Sequence, residues 1–425
     1  MTSRRQAIGA GFSALATLAV GASPASTGWR GDAAAPDDEA YWASVAARCY
    51  VTAREPVTLE HGNFGTLAWP VMQVYKRWIE QVNEQGAYYA RRQFPADAQR
   101  IREKVARSLG VDVDEIAFTR GATESLQALI GGYAGLRPGD QVLYCDLDYD
   151  SMQAAMRWLQ ARRGVQSIAV QVPEPATHQG LIDFYERALR DHPRVRLMLL
   201  TQVSHRTGLV MPVGEIVAMA AQRGVDVIVD AAHAWGQVPM DLRGSGVAFA
   251  GLTCHKWLGA PLGVGLIYVR RDRLVDIEPY MGSEDYPAVV DVRDRVHTGT
   301  TNIAALLAVE AALDLHGALG PQAKARRLSW LRQRWMQPLR DTPRLQLLVP
   351  EDPRLAGGMA SFRLAGATSV ADNQRLARRL LEEFGVFTVH RTGVAAGACV
   401  RVTPNVFTPA ADVDRLLIAL QALAA

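Results

Sequence analysis

The residue types best suited to chemistry fall in four short segments, and one of them holds a lysine in apolar company. In Ala250-Gly-Leu-Thr-Cys-His-Lys-Trp-Leu-Gly-Ala260, Lys256 stands among Cys254, Trp257 and Leu258 at a glycine-flanked turn that ends a short apolar run. A lysine so placed is either a nucleophilic amine of lowered pKa, able to form a Schiff base with a carbonyl compound, or a surface lysine whose stem snorkels over its neighbours. Val229-Asp-Ala-Ala-His-Ala234 puts Asp230 at the end of a strongly apolar run, where an ionised carboxylate is costly unless a cation or a hydrogen-bond donor meets it. Ala231 and Ala232 leave room for something flat and His233 can donate beside it, although a buried Asp-His pair would read the same way.

The third segment, Thr119-Arg-Gly-Ala-Thr-Glu-Ser125, is a glycine turn between a strand and a helix. Its backbone N–H groups and the Thr123 hydroxyl suit a phosphate, or simply cap the helix. The fourth, His297-Thr-Gly-Thr-Thr-Asn302, offers hydroxyls for a second phosphate oxygen or another helix cap. Taken together, a strand-end Asp, a His three residues on, and Thr-x-His-Lys after a short strand describe a site for an aldehyde cofactor with a pyridine nitrogen and a phosphate.

The elements that must position these residues alternate. Apolar runs suited to buried strands occur at residues 116–118, 141–145, 167–171, 196–201, 226–230, 247–249 and 264–269, with helical patterns at 125–133, 151–163, 181–191 and 213–223. Strands apolar on both faces, separated by helices, imply a mainly parallel seven-stranded sheet covered on both sides, with ligands at the carboxyl ends of the strands. A long helical pattern over 302–319 leads to a smaller α+β unit: a helix over 322–339, strands at 361–364, 386–390 and 398–403, and helices over 370–383 and 410–424. Upstream, residues 28–39 read as a linker and 41–50 as a short helix. Pro70 suits the start of a helix, and residues 99–109 form another amphipathic one.

Interspersed charge, 46 basic and 43 acidic residues for a net +3, gives no nucleic-acid-binding face, and Arg91-Arg92 and Arg326-Arg327 read as solvated clusters. The four cysteines lie far apart with no CxxC pair, against a zinc site or a disulfide framework. At the amino terminus, Ser3-Arg-Arg-Gln6 precedes an apolar Gly/Ala-rich run over 7–22 and a small-residue region, Ser23-Pro-Ala-Ser-Thr27. This resembles a twin-arginine export signal, although Ala7 stands where that signal usually has Phe. The run is too short and glycine-rich for a comfortable membrane span, so no membrane is expected for the mature form.

From Leu59 to the C-terminus the chain resembles the class V aminotransferase group of fold type I pyridoxal-phosphate enzymes. The resemblance implies an α/β fold with residues 1–27 as export signal and 28–69 as linker and N-terminal segment. A large cofactor domain over 70–300, an interdomain helix over 301–320 and a small α+β domain over 321–425 would follow. It implies that Lys256 carries pyridoxal 5′-phosphate, that Asp230 pairs with the ring nitrogen, and that His233 contacts the ring oxygen. Gly121, Ala122, Thr123, Thr253 and His255 would hold the phosphate, and Thr300 would reach it from the second subunit of a homodimer. Tyr149 falls where the family places its ring-stacking residue, a core aromatic being the alternative, and His205 stands where many members carry Asn. Cys399-Val-Arg-Val-Thr-Pro404 resembles the signature whose arginine grips the substrate carboxylate, which points to Arg401 on a strand edge.

Members of this family share one cofactor and differ in reaction. Cysteine desulfurases need a nucleophilic cysteine soon after an Arg-Thr-Gly, and Arg391-Thr-Gly-Val-Ala-Ala396 has none. Leu59-Glu-His-Gly-Asn-Phe-Gly65, Tyr88-Tyr-Ala-Arg-Arg92 and Arg206-Thr-Gly-Leu-Val-Met-Pro212 look most like the isopenicillin-N-epimerase-like branch. Exported members of that branch include enzymes of siderophore maturation. The resemblance therefore implies a periplasmic enzyme of secondary metabolism, such as siderophore maturation, that acts on a small-molecule amino acid or peptide-borne amine by transamination or epimerisation, with C–S elimination as the alternative. A binding protein that has lost turnover is the remaining reading.

Overall fold

The computed structural model describes residues 29–63, 65–279, 292–296 and 299–425; the expected export signal and His297-Thr298 lie outside the described residues. The described chain opens with helix α1 (Glu39–Cys49), whose first turn is capped by the Asp38 carboxylate accepting from the Tyr41 N–H at 2.9 Å. After strand β1 (Val57–Thr58) comes α2 (Trp69–Arg92), with Pro70 in its first turn where a missing N–H costs nothing. Helix α3 (Phe94–Leu109) stops at Gly110, whose φ of 68° ends it in the left-handed conformation.

The large sheet contains β2 (Ile116–Thr119), β3 (Gln141–Cys145), β4 (Gln166–Val170), β5 (Val195–Thr201), β6 (Asp226–Asp230), β7 (Phe249–Thr253) and β8 (Gly265–Val269). Their order is β2-β8-β7-β6-β5-β3-β4. Strand β8 is antiparallel to both of its neighbours and the remaining pairs are parallel. Helices α4 (Ala122–Gly132), α5 (Asp150–Arg163), α6 (His178–Asp191) and α7 (Val213–Ala221) connect them. Alternate residues of β5 enter two separate cores: Met198 and Leu200 pack into one, Leu197 and Leu199 into the other. That period of two shows both faces covered, as expected from strands apolar on both sides.

One strand differs from the expectation in a way that matters for the site. The run at 247–249 was too short; β7 extends over Phe249–Thr253 and carries Thr253 at its last position. Ala250 and Gly251 have weak strand propensity, but α4 crosses here so closely that a Cβ on Gly251 would lie 2.6 Å from Leu126 Cγ. Packing therefore overrides propensity, and the small residues are what the crossing requires.

Other boundaries shift for local reasons. The helix expected over 302–319 is broken at Ala308 into α8 (Ile303–Leu307) and α9 (Val309–Leu319). The small unit contains α10 (Pro321–Met336), β9 (Leu345–Leu347), β10 (Ala360–Leu364), α11 (Val370–Phe384), β11 (Val386–Phe387), β12 (Val389–Arg391), β13 (Cys399–Val402) and α12 (Ala410–Ala424). The single strand expected at 386–390 is two: β11 pairs in parallel with β1, while β12 joins the antiparallel sheet β12-β13-β10-β9. Arg401 consequently lies on an interior strand and not on an edge, because β12 covers the side of β13 that the sequence left open.

Residues 29–38, expected as a linker, are docked. The Asp32 carboxylate accepts from the N–H groups of Gln322 (2.8 Å) and Ala323 (3.0 Å), capping α10, and Ala34 is buried. Arg327 is likewise not a solvated charge: it is 1% exposed, donates to the carbonyls of Pro36 and Thr408 at 3.0 Å, and pairs with Glu39. Its planar fork of donors satisfies several carbonyls at once, which is how an arginine tolerates burial.

Candidate active site

The parallel strands deliver their last residues to one place. Thr201 and Asp230 are register partners at the ends of β5 and β6, and Asp230 pairs in turn with Gly251 of β7. Three residues beyond the end of β7, the chain turns at Lys256. These positions border a cavity of about 290 Å³, lined among others by Thr123, Tyr149, His205, Asp230, His233, Thr253, His255, Lys256 and Arg401. Gly121 and Ala122 form the start of α4 beside it, and Gly121 is where β8 passes so near that a Cβ on Gly265 would lie 2.5 Å from its Cα. Thr300 is exposed and does not line the cavity of a single chain.

Burial sets the electrostatics. Lys256 is pushed down to about 8, chiefly by desolvation, with Asp230 opposing and Arg401 adding to the shift. Its Nζ lies 2.8 Å from His233 Nε2, while the Trp257 indole N–H donates to His233 Nδ1 at 3.3 Å. An Nδ1 that accepts cannot carry a proton, and burial holds the imidazole well below its usual pKa, so His233 is neutral with its proton on Nε2. That proton then points at Lys256 Nζ and favours its unprotonated form, in the same direction as burial. Asp230, 4% exposed, is raised by burial and lowered by the Ala232 N–H, from which its carboxylate accepts at 3.0 Å, its one side-chain hydrogen bond among the described residues.

Neighbouring segments hold the lysine turn in place. Gly65 has φ 68°, and a Cβ there would lie 2.3 Å from the Lys256 carbonyl oxygen, so only glycine lets the N-terminal segment cross at this height. Gln237 donates to the His233 carbonyl at 2.6 Å and accepts from the Gly358 N–H at 3.1 Å, tying the turn to the small sheet. Tyr149 is 40% exposed, lines the cavity and meets His205 edge-on at 5.2 Å between centroids, which removes the core-aromatic alternative.

Several site residues were missed in the sequence. Asp148 is fully buried, accepts from Cys145 N (2.7 Å), Thr201 N (3.0 Å) and Thr201 Oγ1 (2.7 Å), and is pushed up to about 6 by desolvation. It joins the ends of β3 and β5 directly before Tyr149; it lies three residues beyond β3, in the acid-rich turn Asp146-Leu-Asp-Tyr-Asp150, which was the available signal. Asn63, Thr201 and Arg391 also line the cavity. Arg391 escaped because the strand was expected to end one residue earlier. All four cysteines are buried and none borders the cavity; Cys399 is pushed up to about 11 by burial.

Residues 69–416 match the family Aminotransferase class-V. The chain belongs to the class V aminotransferase family. Among class V relatives, the isopenicillin N epimerase of Streptomyces clavuligerus is 31% identical over 350 residues, covering 78% of this chain and 86% of that one. The isopenicillin N epimerase of Amycolatopsis lactamdurans is 27% identical over 412 residues, covering 89% and 100%. A cysteine desulfurase of Pectobacterium atrosepticum is 26% identical, covering 76% and 81%. The fold is that of the cysteine desulfurase CsdA from Escherichia coli (TM-score 0.75, 21% identity, 90% and 98% covered). It is also that of a C-DES variant with glycine covalently linked to its pyridoxal-phosphate cofactor (TM-score 0.74, 21% identity, 87% and 96% covered).

The class V cofactor is pyridoxal 5′-phosphate, and the cavity fits it. Among the described residues one N–H donates to the buried Asp230 carboxylate, which leaves it free to meet a protonated ring nitrogen. The Nδ1 atoms of His205 and His255 are buried without partners among the described residues, and Lys256 lines the same cavity as Asp230.

Proposed function

We propose that this enzyme acts at the amine-bearing carbon of an amino acid or peptide-borne amine, by epimerisation or amino transfer. The observation that carries the reading is the buried Lys256 amine, lowered to about 8, sharing one cavity with Asp230 and Arg401 and with no thiol. Bound pyridoxal phosphate supplies an aldehyde and a ring that draws electrons from the substrate carbon. Asp230 would keep the ring nitrogen protonated and His233 would contact the ring oxygen. Gly121, Ala122, Thr123, Thr253 and His255 would hold the phosphate, and Tyr149 and His205, which line the cavity, would contact the ring. Arg401 orients the substrate by its carboxylate, and Lys256 Nζ takes and returns the proton at Cα. The two isopenicillin N epimerases among the relatives favour epimerisation. Buried thiols argue against a persulfide on the protein.

Incubation of the holoenzyme with candidate amino acids in deuterium oxide separates the reactions. Deuterium at Cα with racemisation marks epimerisation, conversion of the cofactor to its amine form marks transfer, and keto acid plus ammonia marks elimination. No exchange at Cα with any amino acid or amine would contradict the proposal.

The working form is a homodimer in which Thr300 completes the partner's phosphate site. Exposed Trp69, Ile79, Tyr88 and Leu262 on a single chain support it. Scattering in solution at the mass of one chain would refute it. The enzyme is exported by a twin-arginine-type signal, a proposal resting on Arg4-Arg5 and the run that follows. Replacing both arginines with lysine should hold it in the cytoplasm; unchanged export would exclude this route.

A further inference from the structure

Behind the two arginines that line the substrate end of the cavity lies an acid, Glu60, that neither the arginine signature nor the cofactor site calls for. Arg391 and Arg401 both line the cavity, and both converge on Glu60: Arg391 Nη2 donates to Oε1 at 3.1 Å and Arg401 Nη2 donates to the same oxygen. Thr403 Oγ1 lies 3.2 Å from Oε2. The Glu60 side chain is 6% exposed, and its backbone is bridged to Thr403, so it cannot swing away to solvent. Gly62 closes over the pair, since a Cβ there would lie 3.2 Å from Arg401 Nη2. Even so, the Nε atoms of both arginines remain buried without partners among the described residues. Donors are therefore left over, but two guanidinium cations and one fixed carboxylate leave only one net positive charge.

We propose that Glu60 sets the charge accepted at this end of the cavity. It fits the site to an amine substrate with a single carboxylate, and rejects one whose side chain brings a second carboxylate to the same arginines. The inference rests on Arg401 taking the substrate carboxylate, as proposed above. A second carboxylate would meet an already neutralised pair and a buried like charge, and an unpaired anion in a desolvated site is the kind of penalty by which sites exclude wrong ligands. Without Glu60, the two arginines would form a two-cation site suited to a dicarboxylate.

The test uses holoenzyme titrated with propionate and succinate, which carry no amine and do not react, with binding followed by calorimetry. Wild-type enzyme should prefer propionate by about tenfold or more, because charge complementarity governs discrimination between such ligands. Glu60→Gln, of the same shape, should tighten succinate by at least about tenfold and erase the preference, while Glu60→Asp, which keeps the charge, should retain it. Wild-type enzyme that binds both acids equally, or a Glu60→Gln enzyme with an unchanged preference, overturns the proposal. Arg401→Lys separates the two layers: loss of propionate binding supports the carboxylate site itself, and propionate binding that survives it refutes that site.

Discussion

The indole N–H of Trp257 donates to Nδ1 of His233 at 3.3 Å, and through that contact the residue next to Lys256 puts the imidazole proton on Nε2, the nitrogen that faces the lysine amine. With Nδ1 occupied, His233 offers Nε2–H to Lys256 and cannot accept from an ammonium. The contact therefore favours the free amine on top of the effect of burial. Trp257→Phe keeps the ring and removes the N–H, so His233 becomes free to accept. The half-ionisation point of Lys256 should rise from about 8 by roughly one unit, read by competitive acetylation of the apoprotein against pH with mass detection. An unchanged midpoint would show that the tautomer has no bearing on the amine.

Gly65 and Gly110 share a φ of 68°, but only Gly65 faces backbone, with a would-be Cβ 2.3 Å from the Lys256 carbonyl oxygen. Gly110→Ala should cost only the left-handed conformation, about 1 kcal/mol. Gly65→Ala should cost more than about 2 kcal/mol in urea denaturation and weaken cofactor uptake as well. Equal losses at the two positions would mean that the N-terminal segment does not hold the lysine turn.

The partners of Lys256 were legible because the chemistry restricts their types. A strand-end acid, a histidine three residues on and Thr-x-His-Lys can be read as letters, and the sheet brings Asp230, His233, Thr253 and Lys256 to one cavity because parallel strands all end on the same side. What stayed hidden depends on tertiary contact. Glu60 and Arg391 meet only because β1 crosses to pair with β11 and β12 begins a new sheet. Likewise, β7 extends through Ala250-Gly251 because α4 needs the space, which no propensity records. Arg327 and residues 29–38 looked solvated by composition, and only their docking against each other shows otherwise.

Asp230→Asn tests the acid end of the cavity. The amide keeps the shape but loses the charge-assisted bond to a protonated ring nitrogen, a loss of about 1.5–3 kcal/mol. Pyridoxal phosphate should bind about 10- to 150-fold more weakly in equilibrium dialysis, with the fold intact by circular dichroism. Undiminished affinity would remove Asp230 from the cofactor site.

Lys324 is a second buried lysine, pushed down to about 8 by desolvation; it donates to the Trp257 carbonyl at 3.1 Å, and no carboxylate among the described residues pairs with it. Between pH 8 and 10.5 the unfolded chain binds a proton there that the folded chain does not, so folding stability rises with pH across that window. Relative to Lys324→Met, which lacks the group, wild-type apoprotein should gain about 3 kcal/mol between pH 7.5 and 10.5 in denaturant titrations. A difference that stays flat with pH would mean that Lys324 is not desolvated.

The central claim is that Lys256 is the amine that holds pyridoxal phosphate. Purified protein loaded with the cofactor should absorb in the visible; after borohydride reduction, peptide mapping should find the cofactor mass on Lys256 and on no other lysine. A colourless protein that takes up no pyridoxal phosphate, or a label that maps elsewhere, would contradict the account.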